Sequence, residues 1–254
     1  MTRKRISLTL DEKLVDRIDM EKSSGDFSNR SRAVESFLKD YFSQKSVSTA
    51  VILCGGEDAR KCLNIVKDSS LLKQKIRNLE EFGVERVFIA TGEDNKKIEE
   101  HVKEIDTPME IEFSEEEKPM GTAGCLKKIK EKLRETFILT NGDVLCNVDI
   151  RDMLDTHRKN GSTATMALTT IENTSMYGVV KLKGDKIVGF EEKPEKAPTK
   201  LINAGMYMLE PGIIKRIEEK DQEKIDMEEI FSELSEEGEL RGYVYEGSWY
   251  DMGN

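Results

Sequence analysis

Three runs of consecutive apolar residues, Val51-Ile52-Leu53-Cys54, Val87-Phe88-Ile89-Ala90 and Phe137-Ile138-Leu139-Thr140, constrain the fold of this chain more than any other feature. A strand with one wet face alternates apolar and polar side chains, whereas an unbroken run marks a strand covered on both faces. Between the runs the period changes. Leu71, Leu72, Ile76 and Leu79 form a helical stripe that ends at Gly83, and another helix is expected around Lys96 to Val102. Strands alternating with helices predict an α/β domain with a parallel, doubly wound sheet, and such sheets bind ligands at the C-terminal ends of their strands.

The bulk properties fit a large core inside a hydrated surface. Of 254 residues 37% are hydrophobic and 35% charged, with a net charge of -10. No apolar run approaches the roughly 18 to 20 residues that cross a bilayer, and the N-terminus lacks a signal-peptide core, so a cytoplasmic protein is expected. Cys54, Cys62, Cys125 and Cys146 form no CxxC pair, and only His101 and His157 accompany them. That spacing argues against zinc and for small buried thiols.

The first 42 residues have a different texture. Arg5-Ile6-Ser7-Leu8-Thr9-Leu10 alternates strictly, the period of a half-buried strand. Asp11 stands as the N-cap of a helix carrying Leu14, Val15 and Ile18, which Ser23-Ser24-Gly25 ends. Ser28 is placed to cap a second helix with the stripe Ala33, Val34, Phe37, Leu38 and Tyr41. Residues 1–45 hold ten Lys or Arg against eight Asp or Glu, leaving -12 on the remainder, so a basic tip precedes an acidic body. A strand and two helices of this size cannot bury a core alone.

The order strand, helix, helix, with Arg-Ile-Ser-Leu-Thr-Leu-Asp and a helix opening Ser28-Asn29-Arg30-Ser31, resembles the ribbon-helix-helix family. In that family two protomers pair their strands into an intertwined antiparallel ribbon that enters the DNA major groove. The resemblance implies double-stranded DNA as a partner, contacted by Arg3, Arg5, Ser7 and Thr9. It further implies a backbone phosphate held at Asn29, Arg30 and Ser31, and a homodimer, or a larger assembly, built through the ribbon. A dimerisation arm with a solvated polar face is the plainer reading. Polar, Ser-rich residues then mark a boundary, giving residues 1–43 as one domain, 44–49 as linker and 50–254 as a second domain.

Beyond the linker, chemistry-bearing residues follow the buried strands. Gly55-Gly56 permits close backbone approach, and Asn141-Gly142-Asp143 puts a carboxylate at a strand end, although either is also an ordinary turn. With Lys61-Cys62-Leu63, Gly121-Thr122-Ala123-Gly124, Glu192-Lys193-Pro194, Asn203-Ala204-Gly205 and Trp249-Tyr250-Asp251-Met252-Gly253, they resemble the sugar-phosphate nucleotidylyltransferases, in the family's order. The resemblance runs from residue 50 to the end. It implies a Rossmann-like, doubly wound domain with a mixed, mostly parallel sheet, and attack of a sugar 1-phosphate on the α-phosphorus of a nucleoside triphosphate. By the same resemblance Asp143 and Asp251 share Mg²⁺, and Arg60 and Lys61 neutralise leaving pyrophosphate. Leu53, Gly55, Gly56, Pro119 and Gly121 line the nucleotide, while Gly178, Glu192, Lys193 and Asn203 hold the sugar phosphate.

One motif departs from the family. Its first loop reads approximately G-G-x-G-T-R-x-x-P-x-T-x-x-x-P-K, but here it is Gly55-Gly56-Glu57-Asp58-Ala59-Arg60-Lys61, with two carboxylates beside the expected polyanion. The chain also ends directly after the Trp-x-Asp-x-Gly motif, where relatives usually continue, so dimerisation is assigned to the N-terminal arm. Two functions follow. The first is a DNA-binding transcriptional regulator whose second domain senses a sugar phosphate, nucleotide or nucleotide sugar. The alternative is an active sugar-1-phosphate nucleotidylyltransferase that carries the arm.

Overall fold

The structure, a computed structural model, describes residues 6–23, 27–43, 46–56, 59–92 and 95–253. Its contacts divide the chain into two units, Met1–Lys45 and Ser46–Asn254.

The first unit holds α1 (Glu12–Ser23) and α2 (Arg30–Ser43). Asp11 caps α1 by accepting from the Leu14 amide at 3.0 Å. The cap of α2 is Asn29, one residue later than expected: its Oδ1 accepts from the Arg32 amide at 3.0 Å. Ile18 and Ala33 are buried, and Phe27 meets Phe37 edge to face at 5.7 Å.

The expected strand has no partner within the described chain. Residues 6–10 form no ladder, and Ile6 and Leu8 are 66% and 57% exposed. Alternation supplies a face, but a strand's N–H and C=O groups also need a partner strand. Arg3 and Arg5 lie outside the described residues, while Ser7 and Thr9 fall on this unpaired segment. Arg30 is tied to Asp19, with Nε donating to Oδ1 at 2.6 Å and Nη2 to Oδ2, so its charge is answered within the chain. Asn29 uses its side-chain oxygen as a cap, and Ser31 stands exposed in the first turn of α2. Within one chain residues 6–10 have no strand partner, and a ribbon would need the strand of a second copy.

In chain order the second unit begins β1 (Thr49–Cys54), β2 (Ile65–Val66), β3 (Ser69–Ser70), α3 (Leu71–Glu81), β4 (Arg86–Thr91), α4 (Lys96–Lys103) and β5 (Glu110–Glu115). A short α5 (Gly121–Gly124), β6 (Phe137–Asn141), β7 (Val144–Cys146), α6 (Ile150–Asn160), β8 (Ala164–Thr170), β9 (Gly178–Lys183) and β10 (Lys186–Glu192) follow. It closes with β11 (Leu201–Leu209), α7 (Gly212–Glu218), α8 (Met227–Glu237), β12 (Leu240–Val244) and β13 (Trp249–Asp251). Nine strands make one sheet in the order β5-β4-β1-β6-β11-β8-β12-β10-β9.

The three apolar runs are β1, β4 and β6, which with β5 form a parallel block. Beyond β6 the directions mix. β11 is antiparallel to β6 and β8, β12 is parallel to β8, and β10 is antiparallel to β9 and β12. The reason is the connections: helical crossovers produce parallel neighbours, whereas β9 and β10 are joined by a tight turn in which Gly184 has φ 65°. The sheet is mixed: its first half is parallel throughout, and its second half keeps one parallel pair, β8 with β12.

Alternate residues of β1 face opposite cores. Val51 packs with Phe88, Leu126, Phe137 and Phe231, and Ile52 with Ile76, Ile89, Ile138 and Leu154. Side chains on both faces explain why these strands read as unbroken apolar runs. Ser70 starts α3 by accepting from the Lys73 amide at 3.2 Å. Outside the main sheet, β13 pairs antiparallel with β7, aligning Asp251 with Val144. Among the described residues no helix is long and apolar enough to cross a membrane.

Candidate active site

Two cavities open where β1, β4 and β6 end. The larger, about 840 Å³, is lined by Gly55, Gly56, Arg60, Gly92, Pro119 and Gly121 among others. The smaller, about 160 Å³, is lined by Asn141, Gly142, Asp143, Tyr207, Met227 and Glu228. Leu53, Cys54, Gly55, Ala59 and Thr122 border both, so they form one cleft. The larger volume suits a nucleotide-sized ligand. Every residue expected at the nucleotide lines it, as does Arg60; Glu57 and Asp58 lie outside the described residues.

Asp143 and Asp251, 108 positions apart in sequence, meet at the cleft. The β7–β13 pairing brings the chain end to the tip of β6, and the Met252 amide donates to Asp143 O at 2.9 Å. A Cβ built on Gly253 would stand 2.6 Å from Asp143 Oδ2 and 2.9 Å from Asp251 Oδ1, so both carboxylates crowd one point. Lys61 Nζ donates to Gly253 O, which sets its cation beside the acids. No group of three or more His, Cys, Asp or Glu side chains suited to a metal occurs among the described residues. Two hard carboxylates nevertheless fit Mg²⁺, which takes one or two protein carboxylates and completes its shell with water and substrate phosphate.

The four residues expected at the sugar phosphate are also brought together. Gly178 starts β9 opposite Glu192 at the end of β10, and a Cβ at Gly178 would lie 2.8 Å from Glu192 Oε2. Lys193 follows with φ 46°, and its amide donates to Tyr177 O at 3.1 Å. Asn203 Nδ2 donates to Tyr207 Oη at 2.7 Å, and Asn203 Oδ1 accepts from the Gly205 amide at 2.9 Å. Glu192 is an exposed residue, but its carboxyl lies against the Gly178 backbone and is desolvated there. That desolvation, with the charge of Glu228 adding to it, pushes its pKa up to about 7.

Several residues of the cleft were not expected. The turn before α5 is clamped to the start of α8: the Ala123 and Gly124 amides donate to Ile225 O at 2.9 and 3.0 Å, and the Thr122 amide donates to Asp226 Oδ1 at 3.1 Å. Gly121, at φ 82°, is required there, since a Cβ would fall 2.4 Å from Ile225 O. The clamp carries Glu228 into the smaller cavity, with Oε2 3.5 Å from Thr122 Oγ1. Burial raises the Glu228 carboxyl above the usual range. Glu116, in the larger cavity, accepts from the Met120 amide at 3.0 Å and is likewise raised by burial.

Beneath the Asn-Gly-Asp turn lies a buried lysine. Lys75 Nζ donates to Thr140 Oγ1 at 2.9 Å, and that hydroxyl donates to Gly205 O at 3.1 Å. Burial lowers the Lys75 pKa. All four cysteines are buried and free. Cys54 is held well above the ordinary thiol range, first by its hydrogen bond with Cys62 and then by burial.

A nucleotide-sized cleft at the carboxyl ends of a half-parallel sheet, with paired acids and a cation at its mouth, defines the phosphoryl-handling class of α/β proteins. Residues 50–254 match the family described as nucleotidyl transferase, and the chain belongs to that family. It is 34% identical over 220 residues to the mannose-1-phosphate guanylyltransferase catalytic subunit beta of Danio rerio, covering 80% of this chain and 61% of that protein. It is 32% identical over 192 residues to the probable mannose-1-phosphate guanylyltransferase 3 of Arabidopsis thaliana, covering 72% of this chain and 57% of the relative. The chain thus spans about three fifths of the length of these relatives. A putative glucose-1-phosphate thymidylyltransferase structure from Bacillus anthracis shares the fold, with TM-score 0.73 and 19% identity over 81% of this chain and 89% of that one. The matching relatives are named as transferases, which overturns the regulator-and-sensor reading with its DNA-binding and transcription-regulation roles. The enzyme alternative is the reading that remains.

Proposed function

We propose that this chain transfers a guanylyl group from GTP to mannose 1-phosphate, yielding GDP-mannose and pyrophosphate. The observation that carries the reading is the convergence of Asp143 and Asp251 around one point, with Lys61 tethered beside them. In the reaction an oxygen of the sugar phosphate forms a bond to the α-phosphorus of GTP, and the bond from that phosphorus to the bridging oxygen breaks. Alignment and charge neutralisation supply most of the catalysis in such a transfer.

Each residue then has a task. Gly55 and Gly56 let the backbone approach the nucleotide, whose base lies against Pro119 and Gly121. The Glu116 carboxylate offers acceptors to the N–H groups of guanine. Lys193 binds the sugar phosphate, while Glu192, Asn203 and Gly178 border the sugar. Lys61 and Arg60 neutralise charge gathering on the leaving pyrophosphate. Asp143 and Asp251 would hold Mg²⁺, which when bound supplies positive charge to the phosphate oxygens. These tasks fall on residues within the unit Ser46–Asn254, whose β1 already begins at Thr49, inside the linker expected at 44–49.

Pyrophosphate release with Mg²⁺ tests the reading, using GTP, ATP, UTP and dTTP against mannose 1-phosphate and glucose 1-phosphate. GTP with mannose 1-phosphate is expected to give the highest kcat/KM. Release with none of the pairs contradicts the function, and a uridine or thymidine preference contradicts the guanylyl assignment.

A further inference from the structure

We propose that Glu228 is a specificity-determining residue of the sugar half of the cleft, its carboxylate accepting a hydrogen bond from a ring hydroxyl of a hexose 1-phosphate. The inference rests on the reading of the cleft as a sugar-1-phosphate transferase site and adds a residue to it.

The geometry begins with the clamp. Asp226 precedes the first turn of α8, and its bond to the Thr122 amide fixes how that helix enters the cleft. Met227 N donates to Thr122 Oγ1 at 2.8 Å, which fixes the next residue as well. Glu228 consequently points into the 160 Å³ cavity that Asn141, Asp143 and Tyr207 border. Its 3.5 Å approach to Thr122 Oγ1 is at the limit of a hydrogen bond and leaves most of its acceptor capacity unused by that contact.

Glu228 accepts a hydrogen bond from its own backbone amide in the first turn of α8, and that bond with the Thr122 contact still leaves acceptor sites of the carboxylate turned to the cavity. The positive end of the α8 dipole is answered equally well by Glu229, the neighbouring first-turn acid, which stands exposed. Glu228 instead bears a desolvation cost, visible in its raised carboxyl, and it adds to the raising of Glu192. Only Glu228 lines that cavity, but Glu192 stands near enough for the two carboxylates to repel each other, and Tyr207, which borders the cavity, accepts from the sugar-side Asn203. Hydroxyl donors between them relieve that repulsion by satisfying both acceptors, and a hexose presents such donors around its ring. A phosphate in the same place would add negative charge, so the sugar ring rather than the phosphate fits this corner. The pair therefore selects for a hydroxyl that a deoxy analogue lacks.

The test compares wild type with Glu228→Gln, which keeps shape and removes charge, and with Glu229→Gln as the exposed control. Initial rates are measured with GTP and mannose 1-phosphate or its 2-, 3-, 4- and 6-deoxy analogues. For Glu228→Gln the sugar KM is expected to rise about tenfold or more. The GTP KM should stay within about twofold, and the penalty should vanish for one deoxy analogue alone, because that analogue lacks the donor. An unchanged sugar KM, or an equal penalty with every analogue, overturns the proposal. If wild type releases no pyrophosphate, the enzyme reading fails separately. GDP-mannose binding by thermal shift then decides: a shift lost in Glu228→Gln but kept in Glu229→Gln supports the role, and equal shifts, or none in wild type, overturn it.

Discussion

At Gly142 a hydrogen atom occupies the place where any other residue would put a carbon, 2.5 Å from Leu53 O and 2.7 Å from Cys54 Sγ. This closeness lets the Gly142 amide donate to Leu53 O at 2.8 Å and sets Asp143 at the cleft. Gly142→Ala should destabilise the protein by about 1–3 kcal/mol in urea unfolding, because the nearest obstacle is backbone. His157 sets a pH dependence. It is buried, bonded to Thr165 Oγ1 at 2.8 Å and Glu210 Oε1 at 3.0 Å, and burial lowers its pKa below 6.5. A base with a depressed folded pKa contributes full stability above its unfolded value and loses it as pH falls below about 6.5. The Tm should therefore drop between pH 7 and 5.5 more steeply in wild type than in His157→Asn; parallel slopes would remove His157 as the cause. Asp143 and Asp251 were legible because fixed neighbours mark them, Asn-Gly before one and Trp-x-Asp-x-Gly around the other. Glu228 was not, since Met227-Glu228-Glu229 reads as a helix start with two solvated acids, and only the bond of Asp226 to Thr122 turns one of them inward.

Among the elements, those with a strong local period emerged from the sequence and those that depend on a partner did not. β1, β4, β6 and α3 follow from apolar runs and one stripe. The alternation at residues 6–10 carries the same local signal as a strand but finds no partner within the chain, because pairing is a property of two segments. That the sheet is mixed followed from the family resemblance and not from periodicity, because strand direction is set by connections that periodicity does not reveal. The β7–β13 pair is two three-residue strands, too short for a pattern, although it joins the two acids. The α5 turn offers a test at this scale. Gly121→Ala forces an L residue to φ 82° against Ile225 O, so the turn must leave the start of α8. The GTP KM should rise at least about fivefold, with stability falling by about 1–3 kcal/mol. An unchanged KM in a folded variant would show that the clamp does not shape the nucleotide side.

For the molecule as a whole, every residue assigned to the cleft lies in the unit Ser46–Asn254. Removal of residues 1–45 should leave kcat for GDP-mannose formation within about threefold of the full chain, since none of the residues given a task lies in that segment. A loss of about a hundredfold in a folded truncation would assign the first unit a part in the reaction. The fold class and the family were readable because seven short motifs keep their order over two hundred residues. The role of the first 45 residues was not, because a short alternating segment and two helices fit more than one assembly. The most direct test is GDP-mannose formation from GTP and mannose 1-phosphate, measured against Mg²⁺ concentration for wild type, Asp143→Asn and Asp251→Asn. Wild type should form product only with the ion, and each variant should lose about a hundredfold or more in kcat. Full turnover in either variant, or no product from wild type at saturating Mg²⁺, would contradict the account.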